Sequence, residues 1–395
     1  MNLFSKTYHK YLNLLVKNLV PTKEAKNYIV FKNSLAYSED IQKDIKETYK
    51  KSRGDTRVLV IYFNFLWKPI LDLAQFLNLR SPKETKEPNW LSPDDINNIF
   101  YLENFEKVKE GKYLVFPFPG KLFEILNKII SNLPLIKELS LITYQIYRPL
   151  FKPKKYSVSI IIPARNESGN IVGLISKLPK FNTKTEVIFV EGHSKDNTYE
   201  KIINEIKQNK RKDIASYVFK QNGIGKNDAV KLGFEKAKND ILIVLDADLT
   251  VKPKELKKFY DAICEGKSDL VIGTRLVYPM EKQAMRLLNY FGNKMFSILF
   301  SFIIDQKIKD TLCGTKAILK SNYLKIKSNQ RYFGNFDPFG DFDLIFGSAK
   351  LNFKITEVPV RYGQRKYGQT NIDRFRHGLL LLRMVYLGLL KLKFV

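Results

Sequence analysis

From residue 158 onward, short β-branched apolar runs alternate with longer mixed segments, and few architectures accommodate that rhythm. The runs occupy 158–162, 187–190, 241–245 and 270–272. None alternates polar with apolar, as expected of strands covered on both faces. Between them, 167–178, 197–208, 227–238 and 253–264 read as helices, while 353–360 alternates more and reads as a later strand. Strand–helix–strand repetition predicts an α/β fold with a mainly parallel, Rossmann-like sheet and flanking helices. Two prolines and a charge run make 149–156 a linker. The expected organisation is therefore an amino-terminal region at 1–148, the α/β domain at 157–375 and an apolar, basic helix at 376–395.

In an open parallel sheet, ligands bind beyond the carboxyl ends of the strands. Polar residues gather at those ends: Pro163-Ala164-Arg165-Asn166-Glu167, then Glu191-Gly192-His193-Ser194-Lys195-Asp196-Asn197, Asp246-Ala247-Asp248 and Gly273-Thr274-Arg275. Asn, Glu and Asp there can bond a base and ribose, and Arg275 can pair with a phosphate. Asp246 and Asp248 are two apart in an extended segment and point the same way. Such carboxylates repel unless they share a cation, and Mg²⁺ or Mn²⁺ also held by a diphosphate resolves the conflict. Two other readings stand beside this one. The pair can cap the helix near Pro253. Asp246-Ala247-Asp248-Leu249-Thr250 also fits the Asp-x-Asp-x-Thr of haloacid-dehalogenase-like phosphatases, although two or more strands precede it here.

The formal net charge of +27 points to an anionic partner or to a genome that favours Lys. No zinc spacing or RNA-binding signature accompanies it, so nucleic acid is not expected. The two cysteines, Cys264 and Cys313, form neither a disulfide framework nor a metal cluster and suit a reducing compartment. The opening residues show no secretion signal. No run reaches the ~20 apolar residues of a spanning helix. Segments 285–304 and 378–395 place apolar faces beside cations, which suits either a membrane interface or core packing.

Residues Ser157 to Glu167, the Ser194-Lys195-Asp196-Asn197-Thr198 turn and Asp246-Ala247-Asp248 together resemble the GT-A fold, family 2 glycosyltransferases. The resemblance sharpens towards the dolichol-phosphate and polyprenyl-phosphate group. Its carriers are Asn222-Gly223-Ile224-Gly225-Lys226, Gly273-Thr274-Arg275, Asp310-Thr311-Leu312-Cys313-Gly314-Thr315-Lys316, and Arg365, Gly368 and Thr370. It implies that Pro163, Arg165, Asn166, Glu167, Glu191, Lys226, Asp228, Asp246 and Arg275 bind a nucleotide sugar. It implies further that Asp246 and Asp248 hold the metal, that Asp248, Arg365 and Asp341 are catalytic, and that Arg286, Arg365 and Thr370 meet an acceptor phosphate. Glu191-Gly192 departs from the usual paired Asp, and Thr250 from the usual Gln. The implied reaction is inverting transfer of a sugar from a nucleoside diphosphate to polyprenyl phosphate, at the cytoplasmic membrane face, by a peripheral enzyme acting as a homo-oligomer or with a membrane partner.

An acceptor phosphate is already anionic near neutral pH and needs no strong base. A hydroxyl acceptor would need one, and Asp341 and Asp343 are the candidates. A saccharide-hydroxyl acceptor and a non-catalytic nucleotide-sugar-binding module are the competing readings. Residues 27–145 resemble the carboxyl half of class I S-adenosylmethionine methyltransferases, at Tyr28-Ile29-Val30-Phe31-Lys32-Asn33, Asp40-Ile41, Arg57 to Asn64, Asn89-Trp90-Leu91-Ser92 and Asp94. The early glycine turn that would hold the cofactor is missing before Tyr28, so a degenerate half-domain without methyl transfer is expected.

Overall fold

The computed structural model describes residues 3–77, 87–279, 287–329, 341–365, 367–368 and 374–394. Two compact units divide the chain. One comprises Met1–Phe151, Lys350–Asn352 and Leu389–Val395, and the other Lys152–Ala349 and Phe353–Gly388.

The first unit runs α1 (Leu3–Leu19), β1 (Tyr28–Lys32), α2 (Ile41–Lys51), β2 (Arg57–Phe63), α3 (Lys68–Phe76), α4 (Pro93–Leu102), β3 (Phe105–Tyr113), α5 (Lys121–Ile130) and β4 (Ile142–Pro149). Its sheet has the order β1-β2-β4-β3. β1 and β2 are parallel, while β4 runs against both β2 and β3. Side chains alternate across a strand, so β2 feeds two cores. Leu59, Ile61 and Phe63 pack with Tyr8, Tyr11, Leu12 and Leu15 of α1. Val58, Val60 and Tyr62 pack with Ile45, Ile96 and Phe100. Asp40 caps α2, and Ser92 with Asp95 forms a reciprocal capping box on α4.

The second unit runs β5 (Val158–Ala164), α6 (Ser168–Ile171), β6 (Thr185–Glu191), α7 (Thr198–Lys207), β7 (Ile214–Lys220), α8 (Lys226–Lys236), β8 (Ile241–Val244), α9 (Leu256–Cys264), β9 (Leu270–Thr274), α10 (Leu287–Ile304), β10 (Lys316–Leu319), α11 (Lys320–Ser328), α12 (Asp341–Lys350), β11 (Ile355–Pro359) and α13 (Arg374–Gly388). The seven strands are ordered β11-β9-β10-β8-β5-β6-β7. β10 alone opposes its neighbours, and the other pairings are parallel. This is the expected mainly parallel α/β sheet. The chain steps outward from β5 to β6 and β7, then returns to place β8 on the other side of β5. The strand order thus reverses between β5 and β8, where an open sheet leaves a crevice at its carboxyl edge.

Three elements differ from expectation. The helix expected at 167–178 is only α6 and a short turn. Gly173 adopts a φ of 71°, and the Glu205 carboxylate of α7 accepts hydrogen bonds from the Gly173 and Ile175 backbone nitrogens at 2.7 and 3.0 Å. A side chain from 30 residues away satisfies the amides that a helix would have used. β7 is an edge strand with exposed positions, so it shows no continuous apolar run. β10 is four residues long and begins with a lysine.

Among the described residues, no helix is long and apolar enough to cross a membrane. α10 and α13 are two-faced. Phe291, Met295 and Ile298 on the first, and Leu379, Leu382 and Tyr386 on the second, are exposed, while Phe296, Phe300, Leu381 and Met384 are buried.

Candidate active site

The carboxyl ends of β5 and β8 converge on an ion-pair chain. Arg365 donates from Nη2 to Asp248 Oδ2 at 2.6 Å and from Nη1 to Glu167 Oε1 at 3.1 Å. Beside it, Lys226 Nζ lies 2.6 Å from Asp246 Oδ1. Local backbone rules explain each position. Asp248 Oδ1 accepts from the Thr250 backbone nitrogen and hydroxyl at 3.1 and 2.8 Å, which closes its own turn. Lys226 opens α8, directly after Gly225 at a φ of 95°. Arg365 is brought in because Gly363 N bonds Thr250 O at 2.9 Å and Tyr367 hydroxyl meets Ser168 hydroxyl at 3.0 Å.

The electrostatics are those of a site built for charged ligands. Burial opposes ionisation of Asp246, but the Lys226, Lys316 and Arg275 cations outweigh it and hold the carboxyl below its ordinary range. Burial pushes the Glu167 carboxyl up, with the Asp248 and Asp246 charges adding to the effect and Asn170 and Arg365 opposing it. Lys316 is the contributor that sequence reasoning missed. It is buried in β10 and donates to the Cys313 carbonyl at 2.5 Å. Its position in the Asp310 to Lys316 motif was visible, but its approach to Asp246 depends on β10 lying beside β8.

A divalent cation fits this donor set. Asp246 and Asp248 offer hard oxygens, and their present counter-charges are a lysine and an arginine that a metal and a diphosphate could replace. Gly314 packs so closely on Asp246 and Lys226 that a Cβ would overlap both. Among the described residues, no three or more His, Cys, Asp or Glu side chains form a metal-holding group.

Several residues expected to touch ligand make hydrogen bonds within the frame. Asn166, at a φ of 55°, accepts from the Lys195 backbone nitrogen at 2.7 Å. Glu191 is buried and accepts from Ser194 N at 2.6 Å. Asp228 accepts from Gly223 N at 3.2 Å, closing the turn before α8. Arg275, expected to meet a phosphate, forks onto Asp310 at 2.7 and 2.8 Å and lies over the Tyr362 ring. Asp310 is fully buried and also accepts from Asn293 at 2.8 Å. Pro163 is half-buried at the end of β5 and Arg165 is exposed beyond it. His193 donates to the Gly223 carbonyl at 3.0 Å and so joins two of the turns. Asp341 begins α12, but its side chain, Arg286 and Thr370 lie outside the described residues.

Two alternatives fail on this geometry. The position before the turn at Pro253 is Lys252, and no side chain caps that turn, so neither aspartate serves as its cap. Asp246 follows the fourth strand of its unit rather than the first, which removes the phosphatase setting.

Residues 159–326 match the model of glycosyl transferase family 2. Glycosyltransferase AglJ of Haloferax volcanii is 30% identical over 59% of this chain and 72% of its own length. The chain belongs to glycosyl transferase family 2. A second relative, the UDP-N-acetylglucosamine–dolichyl-phosphate N-acetylglucosaminyltransferase of Methanococcus voltae, is 29% identical over 58% of this chain and 96% of its own. A crystal structure of Mycobacterium tuberculosis glucosyl-3-phosphoglycerate synthase with Mn²⁺, uridine diphosphate and phosphoglyceric acid superposes with a TM-score of 0.43 at 16% identity, covering 60% of this chain and 78% of that one. As a family 2 glycosyltransferase, the protein is an enzyme of sugar transfer.

Proposed function

We propose that this glycosyltransferase moves a hexose from a nucleoside diphosphate to a polyprenyl phosphate, with inversion at the anomeric carbon. The observation that carries the reading is Arg365 bridging Asp248 and Glu167 at the β5/β8 crevice. It sets a bidentate cation beside the carboxylates where a sugar diphosphate would lie. The name of the Methanococcus voltae relative, a dolichyl-phosphate transferase, supports a lipid-phosphate acceptor.

In this reading Asp246 and Asp248 would hold Mg²⁺ or Mn²⁺, which when bound neutralises charge on the leaving diphosphate. Lys226 is released from Asp246 to pair with a diphosphate oxygen. Arg365 turns from Asp248 towards the reacting phosphates and keeps Glu167 as its anchor. The acceptor phosphate oxygen attacks the anomeric carbon from the face opposite the diphosphate. One carbon–oxygen bond forms as the other breaks, and the electron pair leaves on the nucleoside diphosphate. No proton has to be removed from the acceptor, so the site requires cations more than a base.

The deciding experiment supplies membranes, labelled nucleotide sugars and Mn²⁺ and follows label into organic-extractable lipid. Lipid label that disappears with Asp248→Ala is the expected result. Label confined to water-soluble glycan would replace the acceptor by a saccharide hydroxyl. Nucleotide binding without transfer from any donor would leave a binding module.

A further inference from the structure

The first unit carries an apolar surface that its own cores do not use. On α5, Leu122, Ile125 and Ile129 are exposed at helical spacing. Phe118 just before α5, and Leu135, Ile136 and Leu139 shortly after it, are exposed as well, with Leu135 at 84%. A second strip, Phe65, Leu66, Ile70 and Leu73, is exposed and fastened alongside. Asn64 donates to the Glu138 and Ser140 carbonyls at 2.8 Å, and Trp67 Nε1 to the Leu139 carbonyl at 2.8 Å. The segment Leu389–Lys393 reaches the chain just after α5, where Asn132 donates to the Lys393 carbonyl at 3.1 Å, and its Leu390 is exposed.

This surface is held rigidly, so its exposure is built in. Asn127 of α5 is fully buried, and its side chain both donates to and accepts from the Phe116 backbone, at 2.9 and 2.8 Å. Tyr11 hydroxyl donates to the Phe118 carbonyl at 2.8 Å. Monomeric proteins seldom display so many large apolar side chains together without a partner.

Charge identifies the partner. On the α5 wheel, Lys121 and Lys128 fall beside the Leu122–Ile125–Ile129 stripe, and Lys137 follows on the loop. Among the described residues these three lysines have no carboxylate partner, whereas the acids around α5, Glu124 and Glu138, are engaged by Lys10 and Lys112. An apolar stripe bordered by unneutralised lysines suits an anionic lipid surface, where the aliphatic residues enter the acyl boundary and ammonium groups stay at the phosphates.

We propose that the α5 face of the amino-terminal unit, with the strip at Phe65 to Leu73, is a docking surface for an anionic lipid bilayer. The unit is then the enzyme's membrane foot. This assignment rests on the surface and not on the acceptor.

Flotation of the full chain with phosphatidylglycerol–phosphatidylcholine vesicles, free of polyprenyl phosphate, tests it. Leu122→Ser/Ile125→Ser/Ile129→Ser should lower vesicle binding by about tenfold or more. Lys121→Glu/Lys128→Glu should reduce binding to the anionic vesicles towards the level seen with phosphatidylcholine alone. Nucleotide-sugar binding and circular dichroism should match the parent in both. Parent-like flotation by both variants would overturn the proposal, and so would equal binding to anionic and neutral vesicles. A parent that does not float but sediments as a dimer, and becomes a monomer with the triple substitution, would assign the face to a second copy. Intact flotation without lipid glycosylation would count against the proposed function alone.

Discussion

Arg365 spans two carboxylates, and its geometry cannot be copied by a point charge. Under the proposed reaction, in which the guanidinium would act on phosphate charge that grows during transfer, Arg365→Lys is expected to lower kcat/KM by about 100-fold while leaving the thermal midpoint nearly unchanged. Steady-state kinetics beside a melting curve separates the two effects. Arg275 differs in kind. Its fork is closed on Asp310, whose side chain has no solvent exposure. Asp310→Ala leaves a buried cation uncompensated and should cost about 3–5 kcal/mol in urea denaturation. Burial acts to raise the Asp310 carboxyl, yet the Arg275 charge and hydrogen bonds, with Asn293, hold it below its ordinary value. The folded state therefore binds fewer protons here than the unfolded chain. Asp310's contribution is complete above the unfolded value of about 3.9 and is lost as pH falls through the folded value. The acid limb of the urea midpoint should be shallower in Asp310→Asn. Strand-end position made Asp246, Asp248 and Glu167 legible as one cluster from the order of residues alone. It could not separate Arg275 from Arg365, because what distinguishes them is a partner: Asp310 lies 35 residues beyond Arg275.

At the scale of elements, the crevice depends on α8 lying close over β5. Gly233 faces Ile161 so nearly that a Cβ would meet its side chain. Gly-to-Ala in a helix ordinarily gains about 1 kcal/mol. Here overpacking should reverse the sign, with Gly233→Ala destabilising by about 1–3 kcal/mol in urea denaturation. Gly314→Ala should act differently. Its Cβ would strike Asp246 and Lys226, so nucleotide-sugar affinity measured by calorimetry should weaken by about tenfold while unfolding stability changes little. Periodicity found the buried parallel strands and the helices α7, α8 and α9, since each is patterned within itself. It misplaced 167–178 because the Glu205 clamp on Gly173 and Ile175 acts across the fold. It missed β7 because an edge strand leaves exposed positions, and β10 because its short run opens on a buried lysine and leaves only three apolar residues in a row.

Each unit of the whole molecule has hydrophobic clusters of its own. Calorimetry is expected to resolve two unfolding transitions, and a nucleotide sugar at about 100 times its Kd should raise only one, by about 2.7 kcal/mol. A single transition shifted as a block would show the two units to be one cooperative body.

The amino-terminal unit is not a continuous stretch of chain. Lys350–Asn352 belongs to it although the catalytic unit lies on both sides in sequence. Asn352 supplies the carbonyl that receives buried Arg57 at 2.7 Å, and its amide reaches the Leu19 carbonyl and Tyr28 hydroxyl at 2.9 and 2.8 Å. A fragment cut at Phe151 would strand the Arg57 guanidinium without that acceptor. The two halves therefore do not behave as interchangeable cassettes.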